Sequence, residues 1–403
     1  MKKDQPELWT RNFISVSATN FFLFMTFYFL LVTLPIYVVE NLGGEKSEAG
    51  LMTTVFLLSA ILIRPFAGRW IEKHGGRKVL LFSLFVFLTA TILYFFVSSI
   101  TALMAVRFLH GIGFGIATTC TGAIVADIIP DSRRGEGMGY FILSSTLAMV
   151  IGPYVGLTAM QEWGVNAMLD FAAGSAVACV LAGNSIRVKK KQIQEQKERV
   201  QNPFNLKNLF EASAVPIAVT GSLFALAYSA ILSFVSVYAG ELGLGGISSY
   251  FFVVYAVVLL LSRPFTGKCY DLYGQNVIVY PAIVLFAIGM LLLGITDSAF
   301  LFLAAAACAG LGWGTLFPTY QTIAIQSAPP KRKAMATATF LSIFDIGIGL
   351  GSYIVGLAAS LFSFRQLYLF GSAYILLGGT LIYYLLAGRK FHHIRKNEQE
   401  AVL

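Results

Sequence analysis

Arg64-Pro65-Phe66-Ala67-Gly68-Arg69 returns 199 residues later as Arg263-Pro264-Phe265-Thr266-Gly267-Lys268. The same ungapped offset carries Glu72 onto Asp271 and Gly75 onto Gly274. It carries Gly111, Gly113 and Gly115 onto Gly310, Gly312 and Gly314, Pro130 onto Pro329, and Gly152 onto Gly351. One offset that holds over so long a stretch makes the chain two homologous halves in tandem. Whatever the first half folds into, the second must fold into as well.

What each half is made of follows from its apolar runs. Hydrophobic residues are 57% of the chain and charged residues 12%, about half the charge of a soluble domain. Twelve runs stand out, at about 13–39, 47–70, 78–98, 101–125, 137–160 and 165–187, then 212–239, 247–270, 277–296, 299–323, 335–360 and 366–388. Each has about the 20 residues needed to cross a bilayer core. Lipid offers no hydrogen bonds to a bare backbone, so these runs are predicted as helices, and they are twice too long for barrel strands. The expected fold is an all-α membrane protein with twelve transmembrane helices in two homologous six-helix bundles. The first bundle spans 1–187 and the second 212–390, with a cytoplasmic linker at 188–211 and a cytoplasmic tail at 391–403.

The net charge of +9 does not point to nucleic acid, because of where it sits. Lys2, Lys3 and Arg11, then Arg69, Lys73, Arg77 and Lys78, then Arg133 and Arg134, crowd alternate loops. Segments 187–207, 331–333 and 389–396 continue the pattern, whereas the intervening loops hold Lys46 and Arg365 among six acids. This bias places both termini in the cytoplasm. Cys120, Cys179, Cys269 and Cys308 fall in or at the end of predicted helices without metal-ligand spacing, which reads as packing rather than disulfides. No signal peptide, Walker loop, zinc spacing or nucleophile elbow is evident. We expect no enzyme, no cofactor and no metal.

Four motifs carry chemistry. The loop after the second run holds Gly68, Glu72, Gly75, Arg77 and Lys78, and its copy holds Gly267, Asp271 and Gly274. At these residues the chain resembles the major facilitator superfamily. The resemblance implies that Glu72 faces the start of the eleventh helix near Ala334, that Asp271 faces the start of the fifth near Gly135, and that these contacts shut the cytoplasmic side. An acid against the positive end of a helix is the physics invoked. The fourth run, Arg107-Phe108-Leu109-His110-Gly111-Ile112-Gly113-Phe114-Gly115, resembles the family's second motif. A deep arginine costs about 3 kcal/mol to insert, so Arg107 must face a cavity or a partner. His110, Phe114, Thr118 and Thr121 share its helix face by spacing. At the end of this run the family pattern pairs Asp127 with Arg77. In the fifth run Gly139, Gly152-Pro153 and Gly156 resemble the antiporter motif found mainly in exporters, although Ala148 and Leu157 depart from it.

Asp345 lies about ten residues into the eleventh run, near the midplane, and aligns with Thr146 in the first half. An intramembrane acid is a functional hypothesis by default, so Asp345 is the first candidate to carry a coupling proton, with Asp170 second and Arg107 and His110 as accompanying groups. In the family the first, fourth, seventh and tenth helices line the cavity. That would bring Asn20, Phe24, Tyr28, Arg107 and Phe114 from one half to the substrate with Phe224, Tyr228, Trp313, Phe317, Tyr320, Gln321 and Asp345 from the other. The resemblance implies a transporter that exports a small organic molecule, drug or metabolite, by proton antiport with alternating access. The same fold would serve an uptake permease, a metal-chelator exporter or a lipid flippase. The expected partners are substrate, protons and the bilayer of a bacterial cytoplasmic membrane, with a monomeric chain and no nucleic acid.

Overall fold

The computed structural model describes residues 7–130, 133–187, 210–329 and 332–388. Most of the expected linker and all of the expected tail fall outside these residues. The chain forms two compact units, residues 1–198 and 199–403.

In the first unit α1 (Arg11–Ile36) runs on into a π-turn at Tyr37–Asn41. It is followed by α2 (Lys46–His74), α3 (Gly76–Leu93) with a closing 3-10 turn at Tyr94–Phe96, α4 (Ile100–Ile128) and α5 (Arg134–Asn184). The second unit holds α6 (Val215–Glu241), α7 (Ser248–Tyr273), α8 (Gln275–Ile295), α9 (Ala299–Gln326) and α10 (Lys333–Ala358). It ends with α11 (Phe364–Ala373) and α12 (Thr380–Tyr383), joined and followed by π-turns at Tyr374–Gly379 and Tyr384–Gly388. Among the described residues, eleven stretches are long and apolar enough to cross a membrane. The fifth contains two crossings, because α5 breaks at Gly164, whose φ of 83° and ψ of −177° are not helical. Runs five and six were expected to be separated by a short loop; one glycine does the work. The twelfth crossing, expected as one helix, is divided by its π-turns.

The repeat is visible as repeated backbone. Gly75 and Gly274 each form, alone, the link between the second and third helix of their half, both at φ 83°. A residue with a Cβ is strained at that angle, and glycine is not. Ser99 and Ser298 cap the fourth helix of each half by accepting the amide hydrogens of Ala102 and Leu301. Within the helices Thr19, Thr33, Thr91 and Thr220 donate their hydroxyls to carbonyls four residues back, so these polar groups need no solvent.

Packing repeats too. In the first unit α4 lies against α2 and α3, and α1 against α5; in the second, α9 lies against α7 and α8, and α6 against α10. The three glycines of α4 are the seats. A Cβ on Gly113 would lie 2.8 Å from the Phe87 nitrogen of α3, and one on Gly115 would lie 2.6 Å from the Ala60 carbonyl of α2. In α9, Gly312 faces the Phe286 backbone, Gly310 would come to 2.5 Å from the Tyr255 carbonyl, and Gly314 to 2.7 Å from Leu259. Each neighbour is the offset partner of its first-half counterpart. A side chain at these points would push two backbones apart. Gly68, by contrast, has open space beside it.

The second unit is pinned where it begins. Glu211 accepts Arg332 Nε at 2.8 Å and the Ser213 hydroxyl at 2.8 Å, while its own amide donates to Thr339 Oγ1. Hydrogen bonds from Ser213, aided by the Arg332 charge, hold the Glu211 carboxyl below its ordinary range. The offset partner in the first unit, Asn12, instead exchanges two hydrogen bonds with the Arg187 backbone.

These seats set a test. Gly113→Leu and Gly312→Leu should each cost about 1–3 kcal/mol or more by overpacking, read as a lower midpoint of thermal unfolding in detergent, whereas Gly68→Ala should leave the midpoint unchanged or raised. Equal midpoints for all three variants would contradict the packing described.

Candidate functional site

The first unit contains a buried polar network that spans α2, α3 and α4. Arg107 and His110 are both fully buried. Arg107 donates from Nε to the Met52 carbonyl of α2 at 3.1 Å, and its guanidinium carbon lies 4.3 Å from the centre of the Phe56 ring. Nη1 and Nη2 make no hydrogen bond. A desolvated cation over an aromatic face gains about 2 kcal/mol, well short of what a bare ion loses on leaving water.

The direction of the network can be read from its acceptors. Thr91 gives its proton to the Phe87 carbonyl at 2.8 Å. It therefore accepts from His110 Nε2 at 3.4 Å. His110 Nδ1 is then the bare nitrogen and takes the Tyr94 hydroxyl proton at 3.1 Å. In its neutral form His110 is thereby held in one tautomer. A second proton on Nδ1 would have to reverse the Tyr94 hydroxyl beside a buried cation. The geometry makes His110 a group that orients Tyr94.

The second unit lacks this network. At the same offset Thr91, Tyr94, Arg107 and His110 become Met290, Leu293, Ala306 and Ala309. The same helix packing stands on four apolar residues there, so the scaffold does not require the polar ones.

Other predicted residues of the first unit fall into three groups. Asn20 is buried; its Nδ2 donates to Ser144 Oγ of α5 at 3.0 Å and its Oδ1 accepts from Thr121 of α4 at 3.5 Å, so it ties three helices together. Phe24 and Tyr28 lie half-buried on one face of α1, and Phe114 is buried against Phe24, Phe27 and Phe56. Gly152 and Gly156, flanking Pro153 on α5, pack against Met25, Tyr28, Phe29 and Thr33 of α1, while Gly139 approaches no neighbour. Asp170 is exposed on the 165–184 arm of α5 and is not part of the Arg107 network.

One expected pair is corrected. Arg77 donates to the Asn184 carbonyl at 3.4 Å, and Asp127 is exposed without joining it. The reason is the end of α5, whose free carbonyls offer a cation the negative pole of a helix. Glu72 and Asp271 lie in the last turns of α2 and α7, but their side chains, and the surroundings of Gly267, are outside the described residues.

In the second unit the aromatic candidates come together. Tyr228 of α6 stacks on Trp313 of α9 with centroids 4.6 Å apart, Trp313 stacks on Phe344 of α10 at 5.9 Å, and Phe317 meets Phe344 at 4.8 Å. Asp345 follows Phe344 directly, is half-buried, and lies halfway along α10, with twelve residues before it and thirteen after. Gln321 is half-buried one turn beyond Phe317. Tyr320 turns the other way: its fully buried ring packs on Phe224 at 5.7 Å and on Tyr383 at 6.0 Å. It belongs to the packed interior rather than to the Tyr228–Trp313–Phe317 group.

Sequence reasoning missed Thr91, Tyr94 and Phe344. A signal for the first two existed, since both replace apolar residues of the second copy. The network yields a test. Tyr94→Phe should lower the unfolding free energy by about 1–3 kcal/mol, because it leaves the buried His110 Nδ1 without its partner, whereas Leu293→Phe at the offset position should show no such polar loss. A Tyr94→Phe protein as stable as the parent would contradict the network.

Comparison with known proteins agrees with this architecture. The family model described as the Major Facilitator Superfamily matches residues 16–352 and 249–402. An uncharacterised MFS-type transporter of Methanocaldococcus jannaschii is 24% identical over 93% of this chain and 97% of its own. The staphylopine export protein of Staphylococcus aureus is 23% identical over 82% of this chain and 85% of its own. Among solved structures, the nucleoside transporter NupG shares the fold with a TM-score of 0.76 at 12% identity, covering 94% of this chain and all of that one. With two homologous six-helix units and a family match over nearly its whole length, the chain belongs to the Major Facilitator Superfamily and is a multi-pass membrane transporter of small molecules.

Proposed function

We propose that this transporter exports a small organic molecule by proton antiport through alternating access, with Asp345 carrying the coupling proton. The observation that carries this reading is the place of Asp345: midway along a membrane-spanning helix, only half-buried, and the next residue after Phe344 of the Tyr228–Trp313–Phe344 stack, at a position where the first half has Thr146. A carboxylate there is reachable and poorly solvated, which suits proton exchange. The stacked aromatics give an organic substrate a flat apolar wall, with Phe317 and Gln321 at its edge. Export rather than uptake rests on the glycine–proline segment of α5, seated against α1, and on the staphylopine export protein among the relatives.

Arg107 supplies fixed positive charge inside the first half, held by the Met52 carbonyl and the Phe56 ring. The Gly68–Lys78 segment and its copy at Gly267–Gly274 act as cytoplasmic gates, with Glu72 and Asp271 at their centres. Both termini lie in the cytoplasm, following the basic loops, and the chain works as a monomer in the cell membrane. A second reading, export of a zwitterionic metabolite or metal chelator, draws on the same relative.

The test uses purified protein. A thermal-shift screen identifies a stabilising ligand, and proteoliposomes with an imposed pH gradient then measure its accumulation. Asp345→Asn should keep the ligand-induced shift and lose gradient-driven accumulation. Accumulation at the parent rate in Asp345→Asn would overturn the proposal. A zwitterion or chelator as the sole stabilising class would favour the second reading.

A further inference from the structure

Asp170 stands in an unusual place. The 165–184 arm of α5 is 20 residues long, about 30 Å, enough to cross the hydrocarbon core. Its exposed stripe is Asp170, Phe171, Gly174, Val177 and Leu181, at helical spacing. Leu181 is 65% exposed and Val177 and Phe171 each 45%. Apolar residues so exposed on a membrane-spanning helix face lipid tails. Asp170 is the one charge on that stripe, six residues from the break at Gly164, hence about 9 Å along the helix. An acid on the lipid face of a membrane-spanning helix carries an insertion cost, about 3 kcal/mol at the helix centre and less towards its end, unless it is neutralised.

The surface beside it is concave. Asp170, Phe171, Gly174 and Ser175 form one wall of a groove of about 370 Å³, and Phe22 and Met25 of α1 form the other. Phe22 and Met25 centre about a third of a turn of helix away from Phe24 and Tyr28, so the groove lies to one side of the face proposed for substrate. Ser175 is spent: it accepts from Thr26 at 3.0 Å. Gly174 keeps the groove open, since a Cβ there would meet nothing within 4 Å. At the mouth, Trp163 stacks on Phe171 at 5.9 Å, an aromatic pair of the kind found at the level of lipid headgroups.

We propose that this groove holds a zwitterionic phospholipid with a primary ammonium headgroup, one acyl chain lying against Phe22, Met25 and Gly174 and the ammonium donating to the Asp170 carboxylate. Charge complementarity decides the class. An anionic headgroup is repelled. A quaternary ammonium has the charge but no N–H to donate, whereas a primary ammonium makes a charge-assisted hydrogen bond to the carboxylate. The lipid neutralises an acid that the protein's own residues leave on the lipid face.

Native mass spectrometry of the protein from nanodiscs containing equal parts of phosphatidylethanolamine, phosphatidylcholine and phosphatidylglycerol tests this. The parent protein should retain phosphatidylethanolamine about tenfold over the other two, the size expected of one hydrogen bond to a charged group. Asp170→Asn should abolish that preference. Gly174→Leu, which fills the groove and leaves the carboxylate, should lower retention of all three, and it provides the test if Asp170→Asn does not fold. Equal retention of phosphatidylethanolamine and phosphatidylcholine by the parent, or an unchanged preference in Asp170→Asn, would overturn the proposal. So would loss of gradient-driven transport in Asp170→Asn with its lipid preference intact, which would make Asp170 a proton carrier instead.

Discussion

Where two helix backbones touch, one of them must give up its side chain at the contact, and both halves of this protein are assembled around such glycines. The fourth helix of each half is seated through three glycines spaced two apart, between the second and third helices. In lipid there is little hydrophobic force to bring helices together, so close backbone approach and the dispersion it allows must do so. The seats fix how far the helix is inserted, and therefore which of its other residues point inward. Arg107 and His110 are where they are because Gly111, Gly113 and Gly115 are where they are.

The scaffold is shared and the chemistry is not. Offset by offset, the seats, the serine caps and the positive-φ glycine links agree between halves. The polar side chains do not. Thr91, Tyr94, Arg107 and His110 have four apolar counterparts, and Asp345 stands opposite Thr146. A duplicated chain supplies its own control: a residue present in one copy and replaced by an apolar residue in the other is not demanded by the scaffold the two copies share. The buried guanidinium with two unbonded nitrogens is costly for stability, and a buried charge of this kind is better explained by what a protein does than by what holds it together.

Much of this was legible in the sequence, for stated reasons. The twelve crossings follow from run length, and their pairing into two units from the single offset. The seats follow from glycine spacing on a helix. What could not be read was direction within a bundle. Tyr320 and Trp313 look alike as cavity candidates, yet one turns towards Tyr383 and the other towards Tyr228, because helix rotation is set by neighbours several turns away. The family pattern pairs Arg77 with Asp127, but Arg77 goes to the end of α5, a partner that only tertiary structure brings close. Tyr94 gives little signal of its own, because it lies at the end of an apolar run, where an aromatic is ordinary.

The central claim is that a scaffold common to both halves carries a single exchangeable acid at mid-helix, Asp345. Infrared difference spectroscopy of the protein in bilayers, recorded across a pH titration, observes that group without a substrate. The account predicts a protonated-carboxyl stretch that titrates in the parent, vanishes in Asp345→Asn and survives in Asp170→Asn. A spectrum unchanged by Asp345→Asn would contradict it.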